Sequence, residues 1–76
     1  MPKIQTLALG TYIRNPRGKK EPNSRGMSIE ILQIAENHGN SFLCFPVTNA
    51  SSNPVTVDTT RYLFIPLDTN VESVTI

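Results

Sequence analysis

The chain has 76 residues, seven Lys and Arg against six Asp and Glu for a net charge of +1, one His, one Cys and no Trp. That length points to a single domain over residues 1–76, or a fragment of one, with one thin core, because a chain this small buries only about 60% of its unfolded surface. Cys44 has no partner for an intrachain disulfide and no Cys or His companions for a zinc site. No run approaches the roughly 18 apolar residues of a membrane span and the N-terminus lacks a signal-peptide build, so the expectation is a cytoplasmic protein.

In chain order, Leu7, Leu9, Gly10, Tyr12 and Ile13 suggest a first strand bent at Gly10. A basic loop follows at 14–26. Its stretch from Asn15 to Gly26 holds two Pro, two Gly and five charged residues, with no large apolar side chain to anchor it. Residues 1–26 carry a net +5 and residues 27–76 a net −4, so the loop is the positive pole of a dipolar chain.

The next segment, Ser28 to Gly39, supports two readings. As a helix over about 28–38 it has Ser28 at the N-cap, Ile31, Leu32, Ile34 and Ala35 on one stripe, and Gly39 as its stop. As a strand it alternates at Met27, Ile29 and Ile31, then shifts phase to Leu32 and Ile34 through a bulge. The strand is favoured because Asn37 to Asn40 then forms a tight hairpin turn into Ser41–Val47. A polar connection at 48–54 leads to Val55–Val57, a fourth strand that runs on toward Leu67, and Val71–Ile76 closes the chain. Ile, Val and Thr number 20 and Phe and Tyr add five, which suits strands throughout.

The expected fold is therefore all-β, a small antiparallel barrel of five to six strands, with α+β as the alternative if 28–38 is helical. The order of strands and connections resembles the SH3-like small barrel. The resemblance is carried by Phe64-Ile-Pro-Leu-Asp-Thr-Asn-Val71, where Ile65-Pro66 ends a strand and Leu67 to Asn70 makes the single helical turn before the last one. The peptide-binding SH3 branch stacks a row of aromatics and a Trp on polyproline. Here Trp is absent and Tyr12 is the only aromatic before Phe42.

Chemistry-bearing groups do not converge. His38 sits in the predicted turn, Cys44 lies among apolar neighbours, and Asp58 and Asp68 are flanked by Thr in turn-capping positions. With no nucleophile–base spacing, phosphate-binding glycine loop or metal cluster, the sequence points away from an enzyme and implies no cofactor.

Two binding readings remain. The runs Phe42–Val47 and Tyr62–Leu67 are apolar on both faces, so one face packs the core and the other needs a cover. Phe42, Leu43, Tyr62 and Phe64 are the candidate contacts of a non-catalytic module, of accessory-subunit or small-inhibitor type, docking a protein partner or a second copy of itself. Phe45, Leu63 and Ile65, in the middle of these runs, are expected to be mostly buried in the core or an interface. The alternative is an anion binder in which Arg14, Arg17, Lys19, Lys20 and Arg25 neutralise the phosphates of a nucleic acid or nucleotide. Docking is favoured, since an outward apolar face demands a cover while a charged loop is satisfied by water.

Overall fold

The computed structural model describes residues 2–16, 30–49, 51, 52 and 54–76. These residues form one antiparallel sheet of six strands, β1 (Tyr12–Arg14), β2 (Ile31–Asn37), β3 (Ser41–Asn49), β4 (Thr56–Val57), β5 (Leu63–Pro66) and β6 (Ser73–Val74), preceded by a short 3-10 helix at Ile4–Thr6. The order across the sheet is β4-β3-β2-β1-β6, and β5 pairs with β3 on the same edge as β4.

Alternation along each strand sorts the side chains. One set of cross-strand rows runs Ile13–Leu32–Pro46, Ile34–Cys44–Leu63 and Phe42–Ile65. These rows make the inner face, where Ile13, Leu32, Ile34, Phe42, Cys44 and Ile65 are buried together with Ile4 and Val71, and Leu7, Leu63 and Leu67 pack against them. The intervening rows, Val74–Tyr12–Gln33–Phe45 and Glu36–Leu43–Phe64, make the outer face.

Residues 31–37 are strand rather than helix. The register shift falls between Ile34 and Glu36, later than the phase change at Ile31–Leu32 that the sequence suggests. The bulge returns Glu36 to the outer face after Leu32 and Ile34 have turned inward. The hairpin at 37–40 forms as expected. Gly39 takes φ +90°, its N–H donates to Asn37 Oδ1 at 2.8 Å, and the His38 N–H donates to Ser41 O at 2.9 Å.

The first strand is shorter than its apolar run. Gly10 takes φ +93° and its N–H donates to Ile34 O at 2.7 Å, so residues 7–10 turn away and β1 begins only at Tyr12. The fourth run divides into β4 and β5 for a reason in β3. Pro46 sits inside β3, not at its end, and its carbonyl accepts the Asp58 N–H at 2.9 Å. Its nitrogen, lacking a hydrogen, faces the same edge, so the ladder is interrupted there and residues 58–62 loop out.

The sheet is not closed into a barrel. Backbone groups beyond β5 are taken by the N-terminal segment: Ile4 N–H donates to Thr69 O at 2.9 Å, Gln5 N–H to Leu67 O at 3.3 Å, and Val71 N–H to Pro2 O at 2.9 Å, with a bridge between Lys3 and Asn70. This segment stands between β5 and β6 and seats Ile4 at 0% exposure in the core.

Candidate docking surface

The outer face carries an aromatic cluster at the end where β5 meets the 37–40 hairpin. Tyr62 and Phe64 are 63% and 43% exposed. Their rings meet edge-on, with centroids 5.8 Å apart and planes at 78°, and His38 meets Phe64 in the same way at 5.2 Å and 82°. Glu36 Oε2 lies 3.1 Å from His38 Nε2. Leu43 stands opposite both Phe64 and Glu36 in the ladder and is half-buried. Phe45 continues the surface toward Gln33, whose amide donates to the Tyr12 hydroxyl at 3.5 Å.

Three of the four expected contacts, Leu43, Tyr62 and Phe64, are thus brought together. Phe42 faces inward, 4% exposed and opposite Ile65, and serves the core. Phe45, expected with Leu63 and Ile65 to be mostly buried in the core or an interface, is partly buried on the outer face. The period of two in 42–47 already puts Phe45 on the side of Leu43. Ile65 is fully buried and Leu63 packs against the core. His38 and Glu36 join the surface through the hairpin's approach to β5, which no local sequence signal announces.

The expected anion-binding residues fall differently. Arg17, Lys19, Lys20 and Arg25 lie outside the described residues. Arg14 is held on β1, its Nε 3.0 Å from Glu72 Oε2. At the base of the basic loop, Asn15 is 4% exposed; its N–H donates to Glu30 O at 2.8 Å and its amide to Glu30 Oε1 at 2.6 Å. Arg61 Nη2 approaches the second oxygen of Glu30 at 3.7 Å. The two ends of the loop are therefore tied together through Asn15 and the Glu30 carboxylate.

Burial pushes the Cys44 thiol up to about 11, well out of the thiolate range. The Thr60 hydroxyl and backbone N–H, donating to Asp58 Oδ1 at 2.6 and 3.0 Å, hold that carboxyl below its usual range and stiffen a turn. Among the described residues there is no group of three or more His, Cys, Asp or Glu side chains able to hold a metal ion, and no helix long and apolar enough to cross a membrane. Comparison of the chain with protein-family models, curated proteins and solved structures finds no match.

Proposed function

We propose that the chain is a small non-catalytic binding module that docks a protein partner through the outer face of its sheet. The observation that carries this reading is the exposed ring cluster of Tyr62, Phe64 and His38, continuous with partly buried Leu43 and Phe45. Large aromatics with one face in water are the side chains that contribute most when a partner excludes solvent. The surface is set on β3 and β5, so it is presented by backbone that is already ordered and little entropy is lost on binding.

The same reading takes the open sheet as an SH3-like layout. A long connection separates β1 from β2, a tight hairpin joins β2 to β3, and a turn closed by the Thr69 N–H donating to Pro66 O at 3.1 Å precedes β6. A reducing, cytoplasmic setting accords with a lone, buried Cys44.

The test is substitution on the outer face. Phe64→Asp and Tyr62→Asp place charge on exposed positions, so circular dichroism and melting should stay close to wild type. Partner proteins crosslinked to the wild-type chain should be lost from both variants. Undiminished crosslinking to the doubly substituted chain would remove the outer face from the account.

A further inference from the structure

We infer that the His38–Phe64–Tyr62 cluster, with the Glu36 carboxylate beside it, is a receptor for an arginine side chain carried by the protein partner. The inference rests on the docking reading above and names what the centre of that surface recognises. Two observations converge on it. The first is the disposition of the rings: His38 and Tyr62 both stand near-perpendicular to Phe64, at 82° and 78°, so the cluster offers ring faces in more than one direction within a few ångströms. Ring faces are negative and attract a cation lying within about 6 Å of the centroid.

The second is charge. Glu36 is 62% exposed and its contact is with an imidazole, not with a Lys or Arg. The described cations are engaged elsewhere: Arg14 with Glu72, Arg61 with Glu30, and Lys3 donating to Asp68 O at 2.9 Å. The chain as a whole is +1, but residues 27–76, which supply Glu36 and all three rings, carry one Arg against five Asp and Glu, a net −4. A partner that covers this face gains by bringing positive charge to Glu36.

Arginine fits both features in one group. Its guanidinium is planar and weakly hydrated, so it stacks on a ring, and its forked donors match a carboxylate. A lysine ammonium is a compact, strongly hydrated charge and uses the rings less well. A nucleobase would use the rings, but its phosphates would be set against Glu36.

The experiment is an NMR titration of the full chain, with aromatic side chains carbon-labelled, at low salt. The probes are acetyl-valyl-arginyl-valine amide, its citrulline counterpart, which has the same shape without the charge, and oligothymidylate. The arginyl peptide should shift the Phe64 and Tyr62 rings saturably, with its own δ-methylene protons moved upfield by ring current. It should bind about fivefold more tightly than the citrulline peptide. Glu36→Gln should bring the two peptides close to equal, and Phe64→Leu should abolish the upfield shift. Both positions are exposed, so both variants should fold.

Equal affinities in the wild type, or a preference unchanged in Glu36→Gln, would overturn the arginine receptor and leave docking by apolar contact standing. Ring shifts from oligothymidylate with the arginyl peptide silent would overturn it in favour of base stacking. Failure of the docking reading itself shows separately, in partner crosslinking that survives Phe64→Asp with Tyr62→Asp.

Discussion

A carboxamide at 4% exposure must find partners inside the protein, and Asn15 finds them in Glu30 through both its backbone and its side chain. Replacing it by Leu leaves a Glu30 carboxylate oxygen without its shortest donor, and the expected cost is about 1 to 3 kcal/mol in urea unfolding. Cys44 is the complementary case, a thiol whose environment keeps it neutral. Its Sγ lies 3.8 Å from Phe42 O with no exposed surface, and desolvation raises its pKa from 9.0 to about 11. The folded chain thus holds this proton more tightly than the unfolded one. Stability from this group is complete below pH 9 and falls as pH rises from 9.0 toward about 11. At pH 8 a disulfide reagent such as DTNB should react with Cys44 only after denaturant is added.

The hairpin joining β2 to β3 depends on Gly39, where φ is +90° and a built Cβ would meet nothing within 4 Å. Gly39→Ala should therefore cost only the backbone strain, about 1 kcal/mol, and Gly39→Asn less, as read from thermal melting. This turn was legible because Asn and Gly have local reasons to be where they are. The faces of β3 and β5 were not. Phe42 and Phe64 are the same residue type in similar apolar runs, and only the register of Phe42 against Ile65, and of Phe64 against Leu43, decides which is core and which is surface. Periodicity likewise left 28–38 between helix and strand until β1 and β3 supplied neighbours for Leu32 and Ile34 on one face. Ile4, a lone apolar residue beside Lys3, gave no signal at all, since its burial is created by the turn at 67–71.

Eight buried hydrophobic residues hold the described structure together, and a domain of this length has about 4 to 11 kcal/mol of total stability. The paired substitutions Phe42→Ala and Phe64→Ala expose how that stability is distributed. The first removes a ring from the core and should cost about 3 to 5 kcal/mol, enough to leave the domain near its unfolding threshold. The second removes a ring from the surface and should cost about 1 kcal/mol or less by the same urea titration. Comparable losses from both would mean that the outer face is packed as tightly as the inner one.

The backbone bonds between Pro2–Gln5 and Leu67–Val71 also govern when the structure can form. As the chain leaves the ribosome, Ile4 has no site until the turn at 67–71, more than 60 residues further on, has followed it. The β2–β3 hairpin can assemble from neighbours, but the packing of Ile4 with Val71 joins residues far apart in sequence, which raises the contact order. A nascent chain stalled before residue 67 should therefore remain protease-sensitive, and one in which a following linker carries residue 76 clear of the exit tunnel should become resistant.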